Sequence, residues 1–154
     1  MPIYGDEFVV GERHASAPYE MREAEMIEFA RKYDPQDFHT DPNATKDAPM
    51  GGLAAAGCQT VALSWKLAHD TGLFDGVLLA GIGLDEIRWH RPVRAGDLVH
   101  VEFFLLESRQ SASKPDRQIV RFQYEMKNQD GEIVLTLQML QVLKRRSARV
   151  ESAS

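Results

Sequence analysis

The sequence predicts one α+β domain in which an antiparallel sheet wraps about a single long helix. Two observations carry this expectation. The segment from Leu53 to His69 reads as a helix with almost no side chains in its first turns, so it can lie very close to a sheet. Four strand-like segments then follow without another helix between them, which favours antiparallel pairing on one face of that helix. The 154 residues, 44% hydrophobic and 27% charged, suit one ordinary soluble domain with a single core.

Taken in order, Phe8-Val9-Val10 reads as a short first strand. From Met21 to Tyr33 the apolar residues Met21, Ala24, Ile27, Ala30 and Tyr33 recur near helical spacing. Glu23 and Glu25 early and Arg31-Lys32 late suit the helix dipole. Pro35 ends that helix, because the residue before proline is pushed out of the α region. The stretch from Asp34 to Pro49 has no period and is rich in proline and aspartate, so it reads as loop. Gly51-Gly52 is expected to open the central helix, and Gly72 to cap its end.

The strand-like segments are Val77 to Trp89, Leu98 to Ser108, Gln118 to Lys127 and Ile133 to Lys144. Val93-Arg94-Ala95-Gly96-Asp97 turns between the first two, and Asn128-Gln129-Asp130-Gly131 makes a hairpin between the last two. The domain is expected over residues 1–146, with 147–154 as a disordered tail.

A net charge of −5 argues against sequence-independent nucleic-acid binding, which needs a basic surface to displace counterions. No leader pattern is visible at the N-terminus, and the most apolar stretch contains Gln59, Thr60, Ser64 and Lys66. A cytoplasmic protein without a membrane span is the expectation. The one cysteine, Cys58, excludes an internal disulfide, and its place in the alanine-rich helix reads as an inert buried thiol.

The residues with most chemical content are Asp34 and His39, five apart on a loop stiffened by prolines. A carboxylate and an imidazole there can share one water or one proton. Asp before Pro is also a common turn residue, so a capped turn beside a surface histidine explains the pair on spacing alone. Thirteen residues beyond His39 comes Gly52, at the expected helix start. Free N–H groups at such a start can hold a developing oxyanion. Gly51 and Gly52 equally suit a sharp turn needing positive φ.

Other patterns are weaker. His39 and Asp41 lack a third ligand at metal spacing, so no metal is expected. Ser64 and His69 lack a nucleophile elbow, and Gly81-Ile82-Gly83 lacks the rest of a dinucleotide fingerprint. Trp65 and Trp89 read as packing residues. Arg88, Arg91 and Arg94 read as a solvated strand end or as contacts for ligand phosphates.

Three segments together resemble the MaoC-like dehydratases, the family of the R-specific enoyl-CoA hydratases of the hotdog fold. They are Phe29-Ala30-x-x-Tyr33-Asp34-Pro35-Gln36-x-Phe38-His39-x-Asp41, Gly51-Gly52-Leu53-x-Ala55-x-Gly57, and Arg88-Trp89-x-x-Pro92-Val93-x-x-Gly96-Asp97. The resemblance implies that Asp34 and His39 are a catalytic dyad and that the Gly52 amide binds the thioester oxygen. It further implies substrate contacts at Gln36, Phe38, Gly51 and Leu53. The implied reaction interconverts a trans-2-enoyl thioester with a 3-hydroxyacyl thioester, carried on CoA or on acyl carrier protein with CoA favoured, and needs no metal or redox cofactor. The hydratase motif reads Asp-x-Asn-Pro-x-His, and this chain departs from it with Gln36 and Asp37 at the Asn and Pro positions.

Two other readings share the fold: an acyl-CoA thioesterase and a non-catalytic acyl-thioester-binding subunit. Hotdog thioesterases commonly place an acid on the central helix, and no Asp or Glu occurs between Leu53 and His69. A sheet with one covering helix leaves a strand edge and an apolar face, so a homodimer is expected.

Overall fold

The structure, a computed structural model, describes residues 1–146. The expected tail, 147–154, lies outside the described residues. Six strands and three helices are present: β1 (Arg13–Ala15), β2 (Tyr19–Glu20), α1 (Glu23–Tyr33), α2 (Asp37–Thr40), α3 (Gly57–Asp70), β3 (Leu78–Trp89), β4 (Leu98–Gln110), β5 (Arg117–Lys127) and β6 (Ile133–Lys144). All strand pairs are antiparallel, in the order β1-β4-β5-β6-β3, with β2 pairing the start of β4.

Alternation explains why the sheet buries one face. In β4 the side chains of Val99, Val101, Phe103 and Leu105 are buried, and in β5 those of Val120, Phe122, Tyr124 and Met126. They face α3, which contributes Val61, Leu63, Leu67 and Ala68 to the same core. Phe8, Phe74, Phe103 and Phe122 meet there at ring-centroid distances of 5.0 to 6.0 Å. The sheet thus wraps one helix, as the hotdog expectation requires. The opposite face carries ion pairs such as Arg13–Glu125 at 2.6 Å and Lys127–Glu102 at 2.8 Å.

Most strand boundaries agree with expectation, β6 at both ends. The hairpin at Asn128 to Gly131 forms, with Gly131 at φ 74°. Gly72, at φ 77°, donates its N–H to the His69 carbonyl and ends α3 as expected. Three expectations need correction. Phe8-Val9-Val10 is not a strand; only Val10 bridges to Leu105, and the first strand begins at Arg13. The loop after Asp34 contains the single turn α2 and a 3-10 turn at Pro49–Gly51.

The third correction matters most. The central helix starts at Gly57, not at Gly52. The Ala54 N–H is drawn to the Phe38 carbonyl at 2.9 Å and the Ala55 N–H to the Val93 carbonyl at 2.8 Å. Residues 53–56 therefore run extended between two other segments, and Ala56 (φ −60°, ψ 138°) is the N-cap. The helix is 14 residues, about 21 Å long. No helix among the described residues is long and apolar enough to cross a membrane.

Candidate active site

The site forms where α1 stops. Asp34 caps that helix, its N–H donating to the Ala30 carbonyl at 2.8 Å, and Pro35 forbids another turn. The chain then closes α2, with the Gln36 carbonyl accepting from the N–H groups of His39 at 2.8 Å and Thr40 at 3.1 Å. That turn points His39 inward, where it is only 5% exposed.

Two bonds tie the His39 loop to the extended segment before α3. Ala54 N–H reaches the Phe38 carbonyl, and His39 Nδ1 stands 2.7 Å from the Ala54 carbonyl oxygen. A carbonyl can only accept, so Nδ1 carries the hydrogen and the neutral ring keeps its lone pair on Nε2. Nε2 stands 3.5 Å from Asp34 Oδ2. The other carboxylate oxygen, Oδ1, accepts from Gln36 Nε2 at 2.7 Å. Gln36 therefore orients the acid from behind while Oδ2 stays turned toward the imidazole.

Asp34 and His39 open onto a cavity of about 660 Å³. The first turn of α3 forms one wall with Gly57, Cys58 and Thr60, and the segment from Trp89 to Val93 forms another. The N–H groups of Gly57 and Cys58 have no partner among the described residues, as the geometry of a helix start requires. The partial positive charge of the helix start lies on the same side.

Of the residues expected at the site, Asp34, Phe38 and His39 line this cavity and Gln36 supports it through Asp34. Gly51, Gly52 and Leu53 are not part of its wall. Gly51 and Gly52 sit in a left-handed turn at φ 71° and 126°, and the Leu53 carbonyl accepts from Arg94 Nη1 at 3.0 Å. The helix-start residues that line the dyad cavity are Gly57 and Cys58.

Two expectations about other side chains change as well. Cys58 is exposed on the cavity wall, not buried in mid-helix, because the helix begins one residue before it. Trp89 is 56% exposed and walls the cavity instead of filling the core. Its Nε1 donates to the Gly57 carbonyl at 3.2 Å and to Thr60 Oγ1 at 3.3 Å, fixing the indole on the first helical turn. A Cβ on Gly57 would lie 2.7 Å from the indole, so glycine is what lets the ring pack there. Gly57 was the visible signal, a glycine at the end of an alanine run, while nothing local to Trp89 points to it as the partner. The arginines near Pro92 are engaged by the protein: Arg88 with Glu86 at 3.4 Å, Arg91 with Glu132 at 2.9 Å, and Arg94 with the carbonyls of Met50 and Leu53.

A second cavity, about 500 Å³, lies beside the far half of α3 between Trp65, Leu84 and Met139. It contains no acid–base pair. Asp70, the acid at the end of α3, is paired with Lys66 at 2.5 Å and lies away from the dyad cavity.

Comparison with known proteins agrees with this fold. The MaoC like domain matches residues 8–124. The crystal structure of the MaoC-like dehydratase from Rhodospirillum rubrum superposes with a TM-score of 0.85 at 37% identity, covering 94% of this chain and 98% of that one. The R-hydratase PhaJ1 from Pseudomonas aeruginosa, in its unliganded form, gives a TM-score of 0.71 at 25% identity, covering 93% and 86%. Among curated relatives, the uncharacterized protein YdeM of Bacillus subtilis is 28% identical over 92 residues, or 60% of this chain and 65% of that protein. Nodulation protein N of Rhizobium meliloti is 35% identical over 81 residues, half of each chain. The matches thus span between half and two thirds of the length of these curated relatives. With the family model matching most of its length and the hotdog arrangement around α3, the chain belongs to the MaoC-like dehydratase family.

Proposed function

We propose that the protein interconverts a trans-2-enoyl thioester and a 3-hydroxyacyl thioester, with CoA as the thiol carrier. One observation carries this reading. His39 is locked through Nδ1 to Ala54, so its Nε2 faces Asp34 Oδ2 across 3.5 Å beside free amides at a helix start.

A carboxylate oxygen and an imidazole nitrogen that both accept, 3.5 Å apart, can be bridged by one water from the cavity side. Its two hydrogens point at Asp34 Oδ2 and His39 Nε2, which leaves an oxygen lone pair for the β-carbon. In hydration the C–O bond forms at that carbon while the water yields one proton to the dyad. The π electrons move through the α-carbon onto the thioester oxygen. The dyad then returns the proton to the α-carbon, the C=O re-forms, and both groups end as they began. Dehydration runs the same steps in reverse.

The negative charge on the thioester oxygen needs a fixed donor. The Gly57 N–H takes that role in place of Gly52, because it stands at the true start of α3 and lines the cavity. In enzymes where one such donor has been removed, the loss is about 2.7–4 kcal/mol.

The site reading extends to a homodimer paired along β3. That strand is 12 residues long, lies at the sheet edge and exposes Leu79 and Ile82. Its last residue is Trp89, so an edge-to-edge partner would lie close to the dyad cavity.

The reading is tested by incubating the protein with trans-2-enoyl-CoA and resolving the products by mass. A product heavier by one water supports hydration. Free CoA without that product would assign a thioesterase instead.

A further inference from the structure

The backbone beside the dyad cavity is strained at one place. Met50, Gly51 and Gly52 follow one another at φ 67°, 71° and 126°. Glycine takes such angles without steric cost, but methionine brings its Cβ too close to the following carbonyl. Among the described residues, the other non-glycine with positive φ is Glu86, within the irregular pairing of β3.

Arg94 holds this turn. Its Nη2 donates to the Met50 carbonyl and its Nη1 to the Leu53 carbonyl at 3.0 Å. Its own N–H donates to Asp97 Oδ2 at 2.8 Å, so the residue is anchored at both ends. A planar guanidinium can reach two carbonyls at once, whereas the ammonium of a lysine cannot reproduce that fork. A Cβ on Gly51 would lie 3.1 Å from Nη2, so the guanidinium fills the space a side chain there would need. Arg94 does not line the cavity, but Met50 does, alongside Asp34 and Phe38.

We propose that Arg94 is a positioning residue that selects the acyl group: by clamping the left-handed turn, it fixes the Met50 side chain as a wall of the dyad cavity. The substrate half of this inference rests on the hydratase reading, and the clamp half does not. Without the clamp, Met50 relaxes to negative φ, its unbranched side chain leaves the wall, and the cavity widens. A Gly at position 50 needs no clamp, so removing Arg94 on that background has nothing left to release.

The test compares wild type, Arg94→Lys, Met50→Gly and the double variant on four-carbon and eight-carbon trans-2-enoyl-CoA. Alkylation of Cys58 by iodoacetamide is followed in parallel, since this lone cysteine lines the same cavity and reports its openness without turnover. Arg94→Lys is expected to shift the ratio of kcat/KM toward the longer chain by about tenfold, mostly in KM, as lost packing in an apolar pocket does. Met50→Gly should shift it the same way, and the double variant no further than Met50→Gly alone. An equal loss on both substrates, or an additive shift in the double variant, overturns the proposal. If Arg94→Lys does not fold, the double variant must fold and match Met50→Gly; failure of both overturns it too. If wild type turns over neither thioester, the hydratase reading fails and alkylation decides the clamp. Faster reaction in both single variants with no further gain in the double supports it, and an unchanged rate in Arg94→Lys overturns it.

Discussion

His39 donates from Nδ1 to the Ala54 carbonyl at 2.7 Å, and this bond sets the chemistry of the site. It fixes the tautomer and holds the ring between the loop and the start of α3. His39→Ala removes the Nε2 acceptor and leaves a buried carbonyl without its partner. Turnover should fall by about 10²–10⁴, the usual contribution of a positioned acid–base group. Stability should fall by about 1–3 kcal/mol, read from urea unfolding.

Gln36 touches the carboxylate oxygen that faces away from His39. It stands where the hydratase motif has asparagine, and the bond supplies the orientation that an amide at that position can give. Gln36→Leu should lower kcat by about tenfold, corresponding to one hydrogen bond to a charged group. The melting temperature should stay near that of wild type, because Gln36 is exposed. Full activity in this variant would remove Gln36 from the site.

Gly57 and Trp89 occupy adjoining space, with room for no Cβ between them. Gly57→Ala must displace the indole from its bonds to Gly57 and Thr60. Alanine keeps the backbone N–H of the proposed oxyanion donor, so kcat should fall by about tenfold through the misplaced cavity wall alone. Gly52→Ala should spare kcat by comparison, although φ 126° makes it destabilising. Steady-state kinetics on the two variants side by side tests whether the start of α3, and not the Gly51-Gly52 turn, walls the substrate cavity.

The exposed edge of β3 carries Ile82, 52% exposed beside two glycines. A lysine there places a charge where two copies would meet. Ile82→Lys should convert a dimer to a monomer by light scattering and leave far-ultraviolet circular dichroism unchanged. A wild-type protein that is already monomeric would contradict pairing along this edge.

The parts of the fold that are legible in the sequence are those decided locally. The alternation of Val99, Val101, Phe103 and Leu105 fixes which face of β4 is buried, and Asn128 to Gly131 can only be a turn. The nearness of Asp34 and His39 was legible too, since Pro35 and the five-residue spacing place both on one short loop. The helix start was not. Gly51-Gly52 looks like a helix signal, but the bonds that keep Ala54 and Ala55 extended come from Phe38 and Val93, both distant in sequence. The role of Trp89 was hidden for the same reason, because its partner Gly57 is 32 residues away.

The central claim is that Asp34 and His39 add water to an enoyl thioester. It is tested most directly by the loss of conjugated enoyl absorbance when trans-2-enoyl-CoA is mixed with wild type and with Asp34→Asn. Rapid loss is expected with wild type, and a rate lower by about 10²–10⁴ in the variant, which folds normally. Equal rates in the two proteins would contradict it.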